Sequence, residues 1–440
     1  MCRHARSSDA LNVALSIVIL IDEVALLAVA LYYLLIALGG LWPFPEGERS
    51  PSGKDGPPKF LCLTMAHNEE AVIGEHVRNL LAMDYPRGRF DVVVVADNCS
   101  DQTSEIASTE GAVVWRRQSV GNRGKGHALR WALYERGDLR GYDAVCLTDA
   151  DNLVDPNFLE EMARCLGEGN EVVQAYLDSK NPRDSWVSAS YASAYWFMNR
   201  FWQRARIRWG LSGALGGTGL CIKTSLLHSL PWQARSLTED LEYSTQVVLS
   251  GRRVFWTPRT RVYDEKPLTL RQSLPQRIRW LRGHWSTAFH YSPQLLRALW
   301  RGPARSRFRS FDYLVYLWQP LVILLTGLNL ALVPVQLLVH GGYSPWLGAK
   351  LPISIWLTIV GLGLLLPLLA FALEDAAWFM FLQYPVFLLF NLTWIPIAVL
   401  GLVQHRDRSW SHTPHTRSLS YEELEFRPEF WELSADEKAT

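Results

Sequence analysis

Four stretches of the chain, 24–45, 313–349, 351–373 and 376–405, contain no Asp, Glu, Lys or Arg. Each reaches the roughly 20 apolar residues that a bilayer span requires. The pattern predicts a polar middle held between apolar ends. The first apolar run begins near Leu11 but is broken by Asp22 and Glu23, and a charge near a bilayer centre costs about 2.5–3.5 kcal/mol on insertion scales. The span is therefore expected at Val24–Leu41, with the acidic pair near one face. The run is also too long for a cleavable signal peptide. Ala376–Gln404 is interrupted by Gln383, Pro385, Asn391 and Pro396. It is expected to lie in the interface or re-enter, which leaves one span before the polar middle and two after it.

From Phe60 the pattern changes to short apolar runs alternating with amphipathic stretches. Strands are expected at Phe60–Met65, Asp91–Ala96, Ala112–Trp115, Asp143–Thr148 and Glu171–Ala175, with helices near 71–82, 102–110, 125–136 and 156–166. Alternating units of this length imply an α/β fold with a mostly parallel sheet and helices on both faces. Such sheets take ligands at the carboxyl ends of their strands. The expected organisation is an N-terminal membrane segment (1–45), a Pro- and Gly-rich linker (46–59), the α/β domain (60–265), amphipathic interface helices (266–310), a C-terminal membrane region (311–404) and a tail (405–440). Arg301, Arg305, Arg307 and Arg309 stand just before the next apolar stretch, so the positive-inside rule puts the α/β domain on the cytoplasmic face.

Composition narrows the classes. Forty-four basic against 43 acidic residues leave a formal charge of +1, so there is no global basic field for nucleic acid. Six cysteines without a CxxC or paired spacing give neither a disulfide framework nor a zinc site.

The polar clusters fall at the expected strand ends: His67-Asn68-Glu69-Glu70, Asp97 to Asp101, and Asp149-Ala150-Asp151. Two carboxylates two residues apart suit a hard cation such as Mg²⁺ or Mn²⁺, which is commonly bound by one or two carboxylates plus substrate phosphates; the alternative is a solvated loop. Asp97 can accept hydrogen bonds from a nucleobase or ribose, and Lys125, between two glycines, can approach a phosphate. Thr238-Glu239-Asp240 reads either as a capping-box-like helix start or as a motif whose Asp240 is a general base. Gln276, Arg279 and Trp280 fall near one helical face. They are either part of a basic juxtamembrane helix or a diphosphate clamp beside an indole that stacks on a sugar. His412 and His415, without further ligands nearby in sequence, are expected on the surface.

Taken in order, Asp97, Asp149-Ala-Asp151, Thr238-Glu239-Asp240 and Gln276-x-x-Arg279-Trp280 resemble the membrane-integrated family 2 glycosyltransferases, the inverting synthases of cellulose, hyaluronan, chitin oligosaccharides and poly-N-acetylglucosamine. The resemblance runs from about Phe60 to Arg417. It implies a GT-A type nucleotide-binding domain set between N- and C-terminal transmembrane helices. His67, Asn68 and Glu69 would form the first nucleotide-contacting loop, Asp97 would bind uridine, and Lys125 would lie near the nucleotide. Asp151 and Asp149 would hold Mg²⁺ or Mn²⁺. Gly217 and Thr218 belong to the loop beneath the acceptor, Glu239 lies beside the substrate, and Asp240 is the catalytic base. Gln276, Arg279 and Trp280 would hold the diphosphate and the acceptor end. Trp410, Thr413 and Arg417 look like a segment that closes over bound nucleotide, at a looser spacing than in the family. Ala96 stands where many relatives carry another Asp. The implied reaction moves a hexose or N-acetylhexosamine from a UDP-sugar to a growing saccharide, in β linkage, at the cell membrane. The alternatives are single-sugar addition to a lipid and, more remotely, a nucleotide-binding transporter or scaffold. The implied partners are the UDP-sugar, a saccharide or glycolipid acceptor, the bilayer and an oligomer or export partner.

Overall fold

The computed structural model describes residues 2–44, 56–233, 235–340, 353–409, 415 and 417–424. Most of the expected linker, together with Trp410, Thr413 and His412, lies outside the described residues.

Eight strands form one sheet: β1 (Phe60–Ala66), β2 (Phe90–Asp97), β3 (Val113–Arg117), β4 (Ala144–Asp149), β5 (Leu153–Val154), β6 (Val172–Ser179), β7 (Leu220–Lys223) and β8 (Phe255–Asp264), in the order β3-β2-β1-β4-β7-β6-β8-β5. The central strands are apolar throughout because both faces are covered; β2 reads FDVVVVAD, with only Asp91 half-buried. The four strands β3-β2-β1-β4 are parallel, as expected. Beyond them the sheet is mixed. β7 runs antiparallel to both neighbours, β6 and β8 are parallel, and β5 is antiparallel to β8. The expected mostly parallel sheet is found, with β7 and β5 as its antiparallel members; β7 has only four residues and β8 carries Pro258 and four polar side chains between Phe255 and Val262, so neither presents a long apolar run.

Each face of the sheet has its own core. One is centred on Phe60, Val94, Phe158, Met162 and Trp256, the other on Leu63, Val95, Leu147, Leu220 and Val247. Cys62, Cys146 and Cys221 lie side by side across β1, β4 and β7 as buried free thiols.

The helical stretch 186–208 ties the domain to the apolar helices. Arg206 and Asp312, both fully buried, pair at 3.0 Å, and Tyr32 of the first apolar helix donates to Asp312 at 2.7 Å. Two described helices are long and apolar enough to cross a membrane, Ile17–Leu41 and Trp378–Val403. A bent pair, Ala304–Leu317 and Gln319–Leu332, meets the same test if its 48° break is bridged. Two expectations change here. Asp22 and Glu23 lie inside the first helix and are buried, Asp22 accepting from Asn329 at 3.2 Å, so the pair sits against protein. The C-terminal stretch expected to re-enter is a long helix packed on Leu270–Ala298. There Arg277 reaches Thr393 at 2.7 Å, and Gly401 sits against Leu281.

Candidate active site

The loops after β1, β2 and β4 open into one cleft of about 200 Å³. Of the residues singled out in the sequence, His67, Glu69, Asp97, Lys125, Asp149, Asp151, Gly217, Thr218, Glu239, Asp240, Gln276, Arg279 and Trp280 all line it.

Two left-handed asparagines shape the rim, Asn68 (φ 55°) and Asn98 (φ 53°). Asn68 does not line the cleft. Its side chain accepts from the backbone of Ser100 at 2.8 Å and fastens the first loop to the second. His67 Nδ1 lies 2.7 Å from the Asp97 carbonyl. One oxygen of buried Asp97 is held by Arg117 at 2.6 Å and by Asn98 at 2.9 Å, so half of that carboxylate is committed to positioning.

At the end of β4 the turn is built from below. The Asp149 N–H is shared by Asn152 Oδ1 (3.1 Å) and Thr218 Oγ1 (3.0 Å). Buried His76 bonds the Asn152 carbonyl at 2.6 Å and Thr64 at 2.7 Å. Lys125 donates to Asp149 and, at 2.7 Å, to the Gly217 carbonyl. Burial alone would lower the Lys125 pKa, but Asp149, Glu239 and Asp240 raise it, so the ammonium stays charged. Burial likewise opposes the Asp151 charge, yet His415, Lys180 and the Glu265 N–H (2.9 Å) outweigh it and lower that pKa. Gly217 has φ +84°, and a Cβ there would stand 3.3 Å from Asp240 Oδ2; only glycine leaves that carboxylate open to the cleft.

Helix Glu239–Leu249 starts in the cleft wall. The capping-box reading fails because the Thr238 side chain makes no cap bond and its Oγ1 is buried without a partner. The reason is packing: Gly283 of helix Leu270–Ala298 presses against Thr238, where a Cβ would meet Oγ1 at 2.5 Å. Burial, then Asp240, pushes Glu239 up to about 7, and burial also raises Asp240, against the pull of Lys125 and Arg279. Gln276 Oε1 and Arg279 Nε are also buried without partners. Trp280 packs at 14° to Trp394 with centroids 6.5 Å apart, and edge-on to Tyr191 at 6.3 Å, so part of the surface imagined for a sugar is covered by protein.

The tail also reaches the cleft. His415, expected on the surface, lines it, with Nδ1 3.1 Å from Glu69 Oε1. Burial would lower its pKa, but Asp151, Glu69 and Glu265 raise it to about 10, so it stands as a cation. Arg417 does not line the cleft. Its N–H bonds Glu265 at 3.0 Å and its guanidinium lies 3.4 Å from Asp184. Tyr195, Asp264 and Glu265 are lining residues that the sequence reading passed over.

No group of three or more His, Cys, Asp or Glu side chains shaped to hold a metal occurs among the described residues. Asp149 and Asp151 offer hard oxygen donors but only part of a shell. That donor chemistry suits a divalent cation completed by substrate phosphates.

A nucleotide-scale cleft at the carboxyl ends of parallel strands, with two aspartates at one end and a carboxylate pair facing a lysine, defines a group-transfer enzyme of the GT-A class. The profile of Glycosyltransferase like family 2 matches residues 57–283, just over half of the sequence, and the chain belongs to that family. It is 26% identical to a probable glycosyltransferase, YdaM, of Bacillus subtilis, over 61% of this chain and 66% of that one. It is 27% identical to the beta-monoglucosyldiacylglycerol synthase of Trichormus variabilis, over 54% and 52%. The match thus spans between about half and two thirds of these relatives. The fold resembles a mannosyltransferase of Pyrobaculum calidifontis solved with GDP-Man and Mn²⁺, at TM-score 0.57 and 18% identity, covering 89% of this chain and 99% of that one.

Proposed function

We propose that this glycosyltransferase moves a hexose or N-acetylhexosamine from a UDP-sugar to an acceptor hydroxyl at the membrane face, with inversion to a β linkage. The observation that carries the reading is the convergence of Asp97, Lys125, Asp149, Asp151, Asp240 and Arg279 on one cleft at the strand ends. Carboxylates that can hold a cation thus stand beside cations that can meet a diphosphate and a carboxylate that can accept a proton.

In this reading Asp97 and His67 meet the nucleoside, and Lys125 and Arg279 meet the diphosphate. Asp151 and Asp149 would hold Mg²⁺ or Mn²⁺, which supplies positive charge beside the departing diphosphate. Asp240 takes the acceptor proton while Arg279 steadies the charge on the leaving group. The sugar passes directly to the acceptor oxygen, so no covalent enzyme intermediate forms. Ile17–Leu41 and Trp378–Val403 anchor the chain in the cell membrane, with the α/β domain on the cytoplasmic side.

For the acceptor we take a growing saccharide, because the Gln276-x-x-Arg279-Trp280 motif of the synthases lies along the cleft. The relative in Trichormus variabilis favours a second reading, one sugar added to a lipid. Purified protein offered a panel of UDP-sugars should release UDP with one of them, and mass analysis of the product separates the readings. A ladder of products supports elongation; a singly glycosylated lipid establishes the alternative. No UDP release from any donor would overturn the assignment.

A further inference from the structure

Away from the cleft, a second cavity of about 250 Å³ opens where the first apolar helix ends. Residues 39–44 form one wall, directly after the membrane-length segment Ile17–Leu41. Arg204, Arg208 and Arg253 line it too. A fourth arginine there, Arg164, is already neutralised by Glu161 and Glu168. The other three make no ion pair among the described residues.

Arg208 is exposed at the rim, whereas Arg204 and Arg253 are part-buried. Arg204 stands over the Phe44 ring at 6.0 Å, and its Nε is buried without a hydrogen-bond partner. Arg253 stands over Phe255 at 5.4 Å. Burial and the neighbouring Arg200 lower Arg204 to about 10; burial and Arg305 lower Arg253. Three arginines without an ion pair among the described residues thus line one hollow. An arginine cluster with an unused donor fits a phosphate oxygen better than a carboxylate-lined site would. The apolar wall excludes a freely hydrated anion as the best occupant, because Trp42, Pro43 and Phe44 continue the line of the span.

We propose that this cavity binds the phosphate headgroup of an anionic phospholipid of the leaflet facing the catalytic domain, with its acyl chains along Ile17–Leu41. The lipid is a docking ligand and not the sugar acceptor, since the cavity lies outside the cleft that holds Asp240. A basic hollow at the membrane surface is drawn to an anionic leaflet, so the site also fixes the height of the domain over the bilayer.

The test uses the full chain in detergent with equimolar phosphatidylglycerol and phosphatidylcholine, bound lipids being counted by native mass spectrometry. Wild type is expected to retain phosphatidylglycerol in preference, and excess inorganic phosphate is expected not to displace it. Arg204→Gln with Arg253→Gln should lower that preference about tenfold or more, while UDP-sugar turnover in detergent stays at the wild-type level. Should the double variant fail to fold, Arg208→Gln, exposed at the rim, decides: a reduced preference upholds the site and an unchanged one overturns it. Equal retention of the two lipids by wild type overturns the proposal. Displacement by inorganic phosphate assigns the cavity to a soluble phosphate instead, and so also overturns the lipid assignment.

Discussion

At the head of helix Glu239–Leu249 two consecutive carboxylates share one wall with Lys125 and Arg279, and burial holds Glu239 up to about 7 and raises Asp240. A raised pKa means that a proton stays on the pair below neutrality, whereas a general base must be free of it. On the acid side kcat/KM of the free enzyme should therefore fall about tenfold per pH unit, with the limb above the ordinary aspartate range. Glu239→Gln removes one of the two interacting charges and should move that limb to lower pH. An unmoved limb would show that Glu239 does not govern it. Asp240→Asn keeps the size of the side chain and removes its proton acceptance, so turnover should drop about 10²–10⁴-fold while UDP binding, followed by calorimetry, stays nearly constant. Most of the cleft residues were legible because their type and order carry chemistry in the local sequence. His415 was not. Its partner Glu69 is 346 residues away, and nothing beside it in the chain signals that contact. Asn68 misled for the opposite reason: it sits in the right loop, but its side chain is spent on Ser100.

The elements tell a similar story at larger spacing. β1, β2 and β4 declared themselves as apolar runs because helices cover both their faces. β7 and β8 owe their place to pairing partners far along the chain, β4 and β6, and so left no such run. The helix Leu270–Ala298 was visible as a motif carrier, but its closest contact was not. Gly283 lets it lie against Thr238, so the helix that carries Arg279 and the turn that carries Asp240 are set by one interface. Gly283→Ala adds a methyl where three Thr238 atoms stand within 2.8 Å. It should cost about 1–3 kcal/mol of stability, read as a lower melting temperature, and should depress turnover more than donor affinity. A variant as active as wild type would mean that the turn can shift without moving Asp240.

Across the whole molecule, the cleft is closed by parts from three regions of the chain: sheet loops, the helix beneath the C-terminal apolar helix, and the tail. Asp149 and Asp151 provide only part of a metal shell, so the cation and the donor phosphates should bind interdependently. Excess chelator is expected to abolish transfer and Mn²⁺ or Mg²⁺ to restore it. Asp151→Asn should remain folded in the membrane fraction yet show no such recovery; full activity in chelator would remove the metal from the mechanism. The contact between His415 and Glu69 has a further consequence for biosynthesis. A ribosome releases residue 69 long before residue 415, and the apolar helix Trp378–Val403 lies between them in the order of emergence. The α/β domain can thus fold early with its strand-end loops still lacking this last wall. The wall arrives only after that apolar helix has left the ribosome, so the cleft is completed last, and a nascent chain still lacking its tail lacks the His415 cation beside Glu69 and Asp151.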